Sequence, residues 1–103
     1  MATSKEYINY VLERLDAIGH ISIRPMMGEY CLYYKEKLIG LICDARVLIK
    51  KCKASDKMLK GAPLQYPYQG SKSLMYVIDV DEADSYKELF ESLYLELPER
   101  KNR

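Results

Sequence analysis

The chain has 103 residues, 49% of them apolar and 30% charged, with a formal net charge of +1. That describes one soluble globular domain, spanning residues 1–103 with a frayed tail from 98, able to bury a modest core without disulfide staples. It excludes a disordered chain, a strongly basic nucleic-acid binder and, with no apolar run near about 20 residues, a membrane-spanning helix.

The N-terminus lacks a basic stretch followed by an apolar one, so the sequence carries no visible secretory signal and reads as cytoplasmic. Thr3-Ser4-Lys5-Glu6 matches a capping box with Thr3 as N-cap. Ile8, Val11, Leu12, Leu15 and Ile18 then recur at helical spacing, and Gly19 supplies a C-terminal stop, which predicts a helix over 4–18. The single histidine, His20, follows as an exposed loop residue or a partner of the helix dipole.

From residue 21 the period changes to two. Ile21-Ser22-Ile23-Arg24 alternates, and Pro25, lacking a backbone donor, marks an edge strand or its end. Strands are expected at 30–34, 38–43 and 46–50, separated by Lys35-Glu36-Lys37 and by Asp44-Ala45. Connections this short join antiparallel neighbours, so 28–50 reads as a meander.

Ser55 to Lys60 suits a short helix ended by Gly61. Residues 62–70 read as a loop packed on the domain through Leu64, Tyr66 and Tyr68, because a free linker would be less aromatic. Leu74 to Val80 is nearly continuously apolar, as in a central strand covered on both faces. Asp81 is placed to cap a last helix, whose stripe is Tyr86, Leu89, Phe90 and Leu93 and whose stop is Pro98. Segregated strands and helices give an α+β class: an antiparallel meander sheet with the N-terminal and C-terminal helices packed against it.

No catalytic constellation is visible. One histidine and three scattered cysteines form neither a nucleophile-base arrangement nor a zinc pattern. Asp79, Asp81, Glu82 and Asp84 lack the glycine and distal glutamate of a calcium loop and have an ordinary explanation at a helix N-terminus. No metal site and no cofactor are assigned. Cys31 and Cys43 lie in apolar runs and read as small buried hydrophobes, whereas Cys52 sits among lysines that would lower a thiol pKa.

Two clusters are candidates for contact with a ligand or partner. The first is the loop containing Arg24, Met26, Gly28, Glu29 and Tyr30. Arg24 either closes a salt bridge that locks the loop or presents its planar fork to a carboxylate or phosphate. The second is the basic run Lys50, Lys51, Lys53, Lys57 and Lys60, which is either a patch for phosphate or an acidic segment, or a solvated edge. Ten tyrosines are concentrated in and beside the expected sheet, and adjacent Tyr33 and Tyr34 must take opposite faces. Outward tyrosines serve either an interface or cross-strand packing.

The stretch from Arg24 to Lys50 resembles the N-terminal domain of the TfoX/Sxy family, regulators of bacterial competence. Arg24, Met26, Gly28, Tyr33, Gly40 and Lys50 fit its pattern, while Met27, Glu29 and Cys31 depart from it. The flanking elements fit in order, so the resemblance spans nearly the whole chain. The helical second domain of larger members has no counterpart in these residues. The resemblance implies an α+β domain with a regulatory or protein-interaction role and no known enzymatic activity.

A homodimer is expected, through a sheet edge or a tyrosine-bearing face, helped by the split between a lysine-rich middle and an acidic 79–91 stretch. Another protein is the further partner considered, with no membrane contact and no direct nucleic-acid role. The alternative is a small-ligand binder or enzyme using the Arg24–Tyr30 loop, and a nucleic-acid factor using the lysines ranks behind both.

Overall fold

A computed structural model describes residues 4–26 and 29–97. Thr3, Met27, Gly28 and Pro98, with the roles expected of them, lie outside the described residues.

The first helix, α1, is Lys5–Leu15. The residue that caps it is Ser4, whose hydroxyl accepts from the Tyr7 backbone N–H at 3.1 Å. The helical stripe is realised: Ile8, Val11, Leu15 and Ile18 are buried. The chain leaves α1 through Gly19 and His20 at φ +87° and +60°, the left-handed pair that turns it into the sheet.

Four strands follow: β1 Ile21–Met26, β2 Glu29–Tyr34, β3 Lys37–Cys43 and β4 Arg46–Ile49. Each pairs antiparallel with the next, which is the expected meander. Among the described residues, the β2–β3 and β3–β4 loops have positive φ at each central residue, Lys35 and Glu36, then Asp44 and Ala45, as a type I′ turn requires. Pro25 sits in β1, an edge strand, where its missing donor costs nothing.

The short helix α2 runs Lys53–Met58. Ser55 orders its start: its buried hydroxyl accepts from the Cys52 N–H at 2.8 Å and donates to the Lys50 carbonyl at 2.8 Å. The 62–70 segment is less irregular than expected. Leu64–Gln65 forms a two-residue strand, β5, because it lies alongside β6, Met75–Ile78. The sheet order is β1-β2-β3-β4-β6-β5, so β6 is internal, as its apolar run requires.

After β6, Asp79 rather than Asp81 supplies the cap. Its carboxylate accepts from the Asp81 N–H at 2.9 Å and opens a 3-10 segment, Val80–Tyr86, broken at Glu82. The last helix, α3, is Lys87–Glu96, and its stripe Leu89, Phe90 and Leu93 is buried.

The helices cover one face of the sheet. Alternation sends Leu32, Tyr34, Ile42, Val47, Ile49, Tyr76 and Ile78 to that side, where they join the stripes of α1 and α3 in the main core. Each fully buried Leu, Ile or Phe there contributes about 1.5–3 kcal/mol relative to exposure. The opposite face holds a smaller cluster of Cys43, Leu48 and Met75, flanked by Leu41 and Val77. Among the described residues, no helix is long and apolar enough to cross a membrane.

Candidate functional site

The helix side of the sheet is closed by specific polar ties. Glu91 of α3 accepts from the hydroxyl of buried Tyr34 and pairs with Lys35 Nζ at 2.9 Å. These two donors hold the Glu91 carboxyl below its ordinary pKa, while burial and the same contact push the Tyr34 phenol up. Lys37 Nζ donates to the carbonyls of Tyr94 and Leu97 at 2.6 and 2.8 Å, satisfying the end of α3. Glu96 reaches from α3 to α2, accepting from the N–H groups of Lys53 and Ala54 at 3.1 and 2.8 Å. These contacts tie the helices to one another and to the sheet.

The second face is different. Arg46 grips the segment after β5, donating to Gln65 Oε1 at 2.7 Å and to the carbonyls of Tyr66 and Pro67 at 3.3 and 3.0 Å. Pro67 is buried by this clamp, whereas Tyr66 and Tyr68 are 53% and 56% exposed. The loop is packed on the domain, as expected, but through Arg46 and Pro67; all three expected apolar anchors, Leu64, Tyr66 and Tyr68, are exposed. The reason lies in Arg46, whose role no local pattern reveals.

Two cavities flank this loop, both touching Leu41 and Tyr68. The smaller, about 390 Å³, is lined by Met26, Glu29, Tyr30, Leu41, Cys43 and Tyr68. Met26 Sδ accepts from the Cys31 thiol at 3.5 Å at its edge. Burial, with Glu29 next in weight, pushes the Cys43 thiol up to about 11, so it stays protonated and behaves as an apolar wall. Both Cys31 and Cys43 are buried free thiols, as expected.

The larger cavity, about 660 Å³, lies between Leu38 and Leu41 of β3 and the Tyr66–Met75 segment. Lys50, Lys51 and Lys72 reach it, together with Ser71 and Ser73.

The residues singled out in the sequence therefore separate. Met26, Glu29 and Tyr30 come together around the smaller cavity. Arg24 does not join them. It pairs with Glu36 in the next hairpin turn at 3.1 Å and lies 5.0 Å above the Tyr33 ring. Tyr33 and Tyr34 take opposite faces, Tyr34 buried under the helices.

The basic run divides as well. Lys50 and Lys51 face the larger cavity, while Lys60 lines a separate groove with Glu82 and Glu88. Lys51 pairs with Asp56 at 2.9 Å, and Asp56 also accepts from Tyr76 at 2.6 Å, which together hold its carboxyl below the usual range. Lys53 and Lys57 are exposed on α2. Part of the acidic stretch is already engaged within the chain, Asp81 by Arg14 at 3.4 Å and by the Tyr10 hydroxyl. Sequence reasoning missed Lys72 and Tyr68 as cavity residues and Arg46 as the clamp on the loop between them. Their one signal was the pairing of basic and aromatic residues in segments distant along the chain.

The arrangement offers apolar contact, hydroxyls and ammonium groups. Among the described residues, no cluster of histidine, cysteine or carboxylate side chains could hold a metal ion.

An uncharacterised 12.7 kDa protein in the trpE 5′ region of Spirochaeta aurantia is 32% identical over 104 residues, covering 100% of this chain and 90% of that protein. The TfoX N-terminal domain matches residues 13–97, from within α1 to the end of α3. The chain belongs to the TfoX N-terminal domain family.

Proposed function

We propose that this chain is a cytoplasmic regulatory domain that acts through protein contact, first of all with a second copy of itself, using the second face of its sheet. The observation that carries the reading is the smaller cavity, lined on the second face by Met26, Leu41, Cys43 and Tyr68, with Glu29 the one charged residue among its described lining. Met26 and Tyr68, at 52% and 56% exposure, stand beside it. Aromatic and methionine side chains around an apolar recess are the composition of an interface centre.

A two-fold pair presents the same patch twice, so each copy offers both an outward ring and a recess. The net charge of +1 leaves little repulsion between copies. The β1 edge is the poorer contact, because Pro25 and Arg24 guard it against strand addition. Three free thiols suit a reducing compartment.

Sedimentation equilibrium tests the reading. The average mass should rise with concentration from 12.0 kDa toward twice that value, and Tyr68→Asp should return it to 12.0 kDa. A mass of 12.0 kDa at every concentration would end the proposal.

A further inference from the structure

We infer that the smaller cavity is a binding site for one small, neutral aromatic molecule, and that filling it competes with self-association. The competition rests on the proposed contact between two copies; the binding does not.

The volume of about 390 Å³ falls within the range of about 300–1,000 Å³ typical of ligand sites. Two of the lining residues carry sulfur, Met26 and Cys43, and two carry rings, Tyr30 and Tyr68. Sulfur favours contact with an aromatic ring, and a phenol ring favours the edge or the offset face of another ring. A planar ring gains from all of these walls, whereas a saturated ligand gains only from the area it buries.

Charge narrows the class further. No described residue of the lining is a lysine, arginine or histidine, and its one charged group, Glu29, repels an anion. Glu29 already has an interaction within the chain, so it does not require a cation. A charge of either sign would lose hydration against the apolar walls. Cys43, held protonated by burial, adds none.

The walls are also ordered in advance, which lowers the entropy cost of binding. The Cys31 thiol donates to Met26 Sδ at 3.5 Å. Arg46 holds the carbonyls of Tyr66 and Pro67, and the Ser71 N–H donates to the Tyr68 carbonyl at 3.1 Å, so the backbone is anchored at and just before Tyr68. A free aromatic molecule would take the volume that a ring of the second copy fills. A ligand that binds only the single chain shifts the balance toward it by mass action.

The test is fluorescence titration of the full chain with uncharged N-phenyl-1-naphthylamine, which should bind one per chain. Neutral 1-naphthalenemethanol should displace it at least about tenfold more effectively than the similarly sized 1-naphthoate anion or 1-naphthylmethylammonium cation. The saturated counterpart, decahydronaphthalene-1-methanol, should be about threefold weaker. Met26→Ala should weaken the probe about fivefold and Tyr68→Ala about tenfold, both at exposed positions and with an unaltered thermal melt. Leu74→Ala, in the lining of the larger cavity, should leave binding unchanged. In sedimentation equilibrium, saturating probe should bring an associating sample back toward 12.0 kDa. Displacement that ignores charge or saturation, indifference to Met26→Ala and Tyr68→Ala, loss of binding in Leu74→Ala, or a raised mass that saturating probe leaves unchanged would overturn the inference. A mass of 12.0 kDa before any probe is added would sink self-association instead, and the titration, which needs no dimer, would then decide the site by itself.

Discussion

Gly40 shows how much one missing side chain decides. A Cβ built on it would lie 2.1 Å from the Leu48 carbonyl oxygen and 3.3 Å from Ile49 Cα, both backbone atoms of β4. No rotamer change relieves that clash, so β3 and β4 must part. Gly40→Ala should therefore destabilise the domain by about 1–3 kcal/mol, seen as a lower urea midpoint; an unchanged midpoint would refute the account. The glycine was legible in the sequence as part of the family pattern, but its reason was not, because the oxygen it accommodates belongs to a different strand. Ser55 and Glu96 are similar cases. Each reads as an ordinary polar helix residue, and each satisfies backbone groups that belong to another segment or lie at its junction.

At the scale of elements, the hairpins carry a local cost. Asp44 and Ala45 both hold positive φ, 52° and 57°, between β3 and β4. For an L-residue with a Cβ this region costs roughly 1–2 kcal/mol, and glycine avoids that cost while losing about 0.5–1 kcal/mol in chain entropy. Ala45→Gly should thus stabilise the domain by about 0.5–1 kcal/mol, measured as a raised urea midpoint, and a lowered midpoint would contradict the turn geometry. The sequence lacks Asn-Gly or Asp-Gly here, which is why the strands were readable and the turn type was not. Likewise β5 was missed because two residues carry no period; only the neighbouring β6 makes them a strand. The 3-10 segment before α3 displaced the expected cap because the turn begins at Asp79, while still inside the expected strand.

Across the whole molecule, α3 is bound to the meander by Glu91, which Tyr34 and Lys35 contact from the β2–β3 hairpin. A carboxyl whose pKa is depressed in the folded state contributes stability that is complete above its ordinary value, about 4.3, and is lost as pH falls through the lower folded value. Glu91→Gln should lower stability at neutral pH and flatten its decline in acid, followed by urea melts between about pH 3 and 6. Asp56, depressed by Tyr76 and Lys51, should preserve part of the slope. Parallel curves for the variant and the parent chain would rule out the tie as a source of acid sensitivity.

The period of apolar residues was enough to determine two long helices, four consecutive antiparallel strands and the α+β class, because helix and strand pattern are set by neighbours a few residues apart. The pattern from Arg24 to Lys50 also carried the family. What the tertiary structure decided was the character of the second face: Arg46 holding the Tyr66–Tyr68 loop, Met26 meeting Cys43, and Lys72 joining Lys50 and Lys51. Those meetings depend on segments far apart in the chain closing over one surface, and no local period encodes which side chains then share a cavity.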